Sequence, residues 1–136
     1  MFAAGPSIQE ITFHADARRY EGGSIAYSLF HGWAGGLKVL KELGVATIFH
    51  RNLALSGQLL AGLASKAHIR VVSPTKTEGE RSQVVVVTLG SEALNSELCT
   101  RLQERGVIVA NRGDTVRISP NFFNTEEEID LLLSLL

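Results

Sequence analysis

Hydrophobic residues change their spacing several times along this chain, and each change marks an element. Ala26, Phe30, Trp33, Leu37 and Leu40 recur at steps of three and four, the spacing of one helical face. This predicts a helix from residue 24 to about residue 43, with Gly44 as its stop. A second helix is predicted over residues 47–67, with Phe49, Leu53, Leu60 and Leu63 on one side. "HIRVVSP" then reads as a strand ended by Pro74, and the polar run "TKTEGERS" as a loop. "QVVVVTLG" is rich in β-branched residues without alternation, as expected of a central strand covered on both faces. Leu94, Leu98 and Leu102 place a helix over residues 91–105 that stops at Gly106. "VIVAN" and "TVRIS" flank the turn "RGD" as a hairpin. Thr125 and Glu128 form a T-x-x-E capping box, followed by Ile129, Leu132, Leu133 and Leu136 on one helical face.

The order of elements is two helices, two strands, a helix, a hairpin and a helix. It predicts an α+β fold: a small, mainly antiparallel sheet covered by helices, with a long N-terminal helix. Residues 1–21 have no sustained period and contain Gly5, Pro6 and "DARR", so they read as an extended lead-in to a single small domain over 22–136. In the first helix, Ile25, Tyr27, Leu29, Phe30 and Trp33 point in too many directions for one buried stripe, so a further surface must cover them. Gly32, Gly35 and Gly36 each cost about 1 kcal/mol against alanine in a helix interior. Their presence implies close approach of another backbone, either within the domain or from a partner.

Composition narrows the class. With 136 residues, 45% of them hydrophobic and 20% charged, the chain can bury a core of its own and is not expected to be disordered. The 13 Lys and Arg against 14 Asp and Glu leave a formal net charge of -1, so no nucleic-acid partner is expected. No segment is apolar for long enough to span a bilayer, and "MFAAGPSIQE" lacks the cationic start and apolar core of a secretory signal. The single cysteine, Cys99, excludes an internal disulfide framework and fits a reducing compartment. A soluble cytoplasmic chain, without a membrane partner, is the expectation.

Most candidate chemistry dissolves on inspection. His14, His31, His50 and His68 lie far apart without metal-ligand spacing. Cys99 sits beside an apolar stripe as a small hydrophobe, and "GLKVLK" lacks the spacing of a phosphate loop. Two features remain. "RYEGGS" leads into the first helix, where unpaired N–H groups and the Ser24 hydroxyl favour an anion; a serine N-cap is the plainer reading. Arg117 alternates with Val116 and Ile118, so it faces away from the core, with a fork suited to a carboxylate. A solvent-facing edge-strand arginine is the alternative.

"ARRYEGGSIAY" resembles the R-[FY]-E-x-G-[ST] segment of the class V aminotransferase superfamily, the fold-type I pyridoxal phosphate enzymes that include cysteine desulfurases and isopenicillin-N-epimerase-like proteins. "VRISPNFFNTEEEID" is similar to its closing segment, an arginine strand followed by a [FY]-[NT]-T-x-E-E-[IV]-D helix start. The two motifs stand in the right order, and the resemblance covers the chain from about Asp16. It implies that Gly23 and Ser24, serine replacing the commoner threonine, reach the cofactor phosphate, usually in a neighbouring subunit's active site. It also implies that Arg117 binds the substrate's α-carboxylate and that the first helix bridges two domains.

Members of this family run to about three domain-equivalents. Their larger domain supplies the Schiff-base lysine, the aspartate facing the pyridinium nitrogen and the ring-stacking residue. Nothing in the sequence matches that domain: Lys38, Lys41, Lys66 and Lys76 are the only lysines, and none has an S-x-H-K-like context. No cysteine occupies the place of the desulfurase loop cysteine, which aligns the chain with the epimerase-like or aminotransferase branch. The resemblance therefore implies a C-terminal small domain or fragment of a pyridoxal-phosphate-dependent enzyme. No cofactor is expected in the isolated chain, no catalytic residue is assigned, and a partner is expected at the first helix, either a second copy or a large cofactor-binding domain. The alternative is a free-standing binding or assembly module that reuses the fold and holds a small carboxylate at Arg117.

Overall fold

The computed structural model describes residues 12–136. The chain divides, within its first long helix, into a unit of residues 1–39 and a unit of residues 40–136. Of the lead-in expected over residues 1–21, residues 1–11 lie outside the described residues, and Ala17–Tyr20 form a short 3-10 turn. Helix α1 spans Tyr27–Leu43 and α2 spans Val45–Leu63. Only Gly44 separates them, at φ 81°, a left-handed conformation that glycine adopts without steric cost. α1 begins later than its expected start at residue 24. Its first i to i−4 bond runs from the Phe30 N–H to the Ala26 carbonyl, which leaves Ser24 in a bend ahead of the helix.

The sheet belongs to the second unit. Strands β1 (Arg70–Val71), β2 (Val85–Thr88), β3 (Ala110–Asn111) and β4 (Val116–Ile118) run in the order β1-β2-β4-β3, each antiparallel to its neighbours. α3 spans Glu92–Glu104 and α4 spans Glu126–Leu135. Val85 pairs with Ile118 and Val87 with Val116, so these four side chains share one face. Leu55, Leu59 and Leu63 of α2, Leu98 and Leu102 of α3, and Ile129 and Leu132 of α4 close over that face as one core. The capping box at α4 is complete: Thr125 accepts from the Glu128 N–H, and the Glu128 carboxylate accepts from the Thr125 N–H at 3.0 Å.

Three expectations are corrected. The buried stripe of α2 is Asn52, Leu55, Ser56, Leu59 and Leu63, whereas Phe49 is exposed; two polar residues complete the helical period, and a count of apolar positions alone misses it. β2 is internal, yet Val86 on its second face is only half-buried, because α2, α3 and α4 supply their core residues to the other face. β4 is likewise internal, flanked by β2 and β3, so Arg117 does not sit on an edge strand.

Candidate functional site

In the first unit the "DARRY" segment is braced locally. The Asp16 carboxylate accepts from the Arg18 backbone N–H at 3.0 Å and pairs with its guanidinium at 2.8 Å. The Arg18 side chain thereby holds the Asp16 carboxyl below the usual carboxylate range. Arg19 lies 5.1 Å over the Tyr20 ring, a cation–π contact. Beyond this brace, a Cβ added at Gly22 or Gly23 would meet nothing within 4 Å. Ser24 is exposed and forms no hydrogen bond among the described residues. It is therefore not the cap of α1.

In the second unit Arg117 projects from the sheet face opposite Val116 and Ile118, with Val86 on one side in the register and Ala110 on the other. Among the described residues its guanidinium has no hydrogen bond or ion pair. Two acids of α4 are engaged elsewhere: Glu126 pairs with Arg51, and Asp130 accepts from Gln58 at 2.6 Å. The fork is free for a bidentate partner.

A buried amide fixes the strand that presents it. Asn95, fully buried in α3, accepts from the Leu89 N–H at 2.9 Å and donates to the Gly113 carbonyl at 3.1 Å. Thr88 donates to the Asp114 carbonyl at 2.7 Å. α3 and β2 thus hold the turn of the β3–β4 hairpin, where Gly113 adopts φ 70°. The sequence reading placed Leu94 in the α3 stripe, but Leu94 is exposed and Asn95 takes its place. The spacing 95, 98, 102 carried that signal, hidden because asparagine counts as polar.

A second brace joins α2 to α4. Arg51 forms two bonds to the Glu126 carboxylate and a third to the Asn124 carbonyl at 2.9 Å. This holds the Glu126 carboxyl at about 2, well below its usual value. Asn52 donates to the Asn121 side chain at 3.1 Å.

Lys38, Lys41 and Lys76 are exposed and Lys66 is half-buried. A cavity of about 230 Å³ between residues 106–109, the end of β4 and α4 is lined by apolar side chains together with Ser119, Asn124 and Glu128, its one charged residue. Among the described residues there is no metal-binding cluster, and no helix is long and apolar enough to cross a membrane.

The sequence matches the Aminotransferase class-V family over residues 2–132. No curated protein matches it significantly. Among solved structures, the chain is similar to the cystine C-S lyase C-DES, determined with cysteine persulfide, at 20% identity and TM-score 0.74, over 97% of this chain and 35% of that one. It is similar to a NifS-like protein at 20% identity and TM-score 0.69, over 91% of this chain and 36% of that one. A lysine aminotransferase from M. tuberculosis matches at 26% identity and TM-score 0.54, over 73% of this chain and 22% of that one. The chain thus spans about a third or less of these relatives.

Proposed function

Because the chain belongs to the class-V aminotransferase family, we propose that it forms the C-terminal small-domain part of a pyridoxal-phosphate-dependent enzyme acting on an amino acid, and that it is not catalytic alone. The observation that carries this reading is Arg117, an exposed, unpaired guanidinium on the sheet face opposite the core formed with α2, α3 and α4. Its planar fork would take the substrate α-carboxylate in two parallel hydrogen bonds and fix the amino acid's orientation. The Asn95 brace would keep that fork in place by fixing the hairpin. Gly23 and Ser24 would close on the cofactor phosphate: glycine leaves room for backbone approach, and the hydroxyl donates. When bound, the cofactor supplies the electron sink for carbanion chemistry. Its lysine and ring contacts would come from a large domain or second copy that docks on the apolar residues of α1. The absence of a desulfurase-type loop cysteine keeps the proposed parent in the epimerase-like or aminotransferase branch. The lone Cys99 suits a cytoplasmic setting.

Two experiments test the reading. When the chain is mixed with pyridoxal phosphate, reduced with borohydride and peptide-mapped, label should spread substoichiometrically over the lysines; stoichiometric labelling of one lysine would overturn the claim that the chain is inactive alone. In an enzyme reconstituted with the large domain, Arg117→Lys should lower amino-acid turnover about tenfold or more while cofactor stays bound, since lysine keeps the charge but loses the bidentate geometry. Unchanged turnover would assign Arg117 a structural role.

A further inference from the structure

We propose that the ligand of the uncovered sheet face is an acidic amino acid, with Arg70 as a second anchor for its side-chain carboxylate; this rests on the reading of Arg117 as the α-carboxylate anchor. Arg70 pairs with Thr88 in the register, while its neighbour Val71 pairs with the core residue Val87. By alternation Arg70 therefore shares the face of Val86 and Arg117. Two strand spacings and an offset of two residues put the Arg70 and Arg117 Cα atoms about 12 Å apart, a span that two long side chains can narrow onto one small ligand.

The charge on this face is one-sided. The other strand positions on it are Val86, Thr88 and Ala110, none of them acidic. Arg70 is exposed and, like Arg117, has no hydrogen bond or ion pair among the described residues. An isolated arginine on β1 would be explained as an edge guard against strand pairing. That explanation does not extend to Arg117 on an internal strand, nor to the lack of any counter-charge between the two. Two unpaired guanidinia flanking half-buried Val86 make a surface that a ligand with two carboxylates and a short apolar link would satisfy at both ends.

The test uses the 136-residue chain labelled with 15N, following the arginine Nε–H signals at low ionic strength, where exposed pairs are least screened. Glutamate should move both the Arg70 and Arg117 signals, and alanine only that of Arg117. Glutamate should bind about two- to fivefold more tightly than alanine, the range for one added exposed ion pair, and Arg70→Gln should abolish that advantage. An Arg70 signal unmoved by glutamate, or an advantage that survives Arg70→Gln, would overturn the assignment of Arg70. Equal shifts from sodium chloride at matched ionic strength would overturn it too, as adventitious anion binding. If neither amino acid moves Arg117, the carboxylate reading of Arg117 itself falls.

Discussion

Helices α1 and α2 have similar length and similar periodicity, yet α2 buries five residues and α1 buries none. In α2, Leu55, Leu59 and Leu63 enter the core, and Asn52 and Ser56 lie beside them with hydrogen bonds to Asn121 and the Leu53 carbonyl. In α1, Tyr27, Leu29 and Trp33 are each more than 60% exposed. A 3.6-residue period thus reports that a helix has an apolar side, not that its own chain covers it. Exposed apolar surface on this scale marks an interaction site more often than a free surface.

The comparison breaks most sharply at the core. Leu59→Ala, at a fully buried position, should destabilise the chain by about 2–5 kcal/mol, read by urea unfolding. Trp33→Ala should leave unfolding of the monomer nearly unchanged and instead weaken self-association, measured by light scattering across concentration. Burying even two large α1 side chains offers about 3–6 kcal/mol before association costs, so the parent chain should form dimers or larger assemblies at moderate concentration. A clean monomer at high concentration would remove the docking role proposed for α1.

The glycines sharpen the contrast at lower cost. A Cβ at Gly62 in α2 would collide with the Leu133 side chain, whose two methyl carbons and branch carbon stand in the way. Gly62→Ala should therefore cost about 1–2 kcal/mol despite the better helix propensity of alanine. At Gly35 and Gly36 in α1 a Cβ would meet nothing within 4 Å, so Gly35→Ala should stabilise the isolated chain by up to about 1 kcal/mol. If a partner backbone approaches there, the same substitution should weaken association. Thermal melts and light scattering on one variant then read opposite signs.

Much of this was legible in the sequence, and the failures share a cause. The capping box at Thr125 and Glu128, the stop at Gly44 and the direction of Arg117 follow from local rules, each decided by a few neighbouring residues. The stripes of α2 and α3 were misassigned at Asn52, Ser56 and Asn95 because a buried amide or hydroxyl is stabilised by partners distant in sequence, such as Asn121 and Gly113. The open second face of β2 was missed for a similar reason. A run of valines shows that a strand is internal, but which layers pack on it depends on where three helices come to rest. Gly23, Ser24 and Arg117 are proposed from their motifs, whereas Arg70 can be proposed only once the register sets it on the same face as Arg117.

The smallest expected effect concerns the tie that α2 makes to the start of α4 through Arg51 and Glu126. The Arg51 hydrogen bonds hold the Glu126 carboxyl at about 2 in the folded chain, below its usual value near 4.5. A carboxylate whose folded value is depressed stabilises the fold above its unfolded value and loses that contribution as pH falls through the folded one. The tie should therefore be fully present at neutral pH and fade between about pH 4.5 and 2. Glu126 is exposed and Arg51 only half-buried, so solvent screens the pair and keeps the change small. Melting temperature followed across that window should fall less steeply in Arg51→Gln than in the parent chain. Lys41→Gln removes the same charge from α1, and it should leave the acid limb where it was. An identical limb for Arg51→Gln and the parent would mean that the Arg51–Glu126 pair adds nothing to the Gln58–Asp130 hydrogen bond and the Leu59, Leu63 and Ile129 packing that also join α4 to α2.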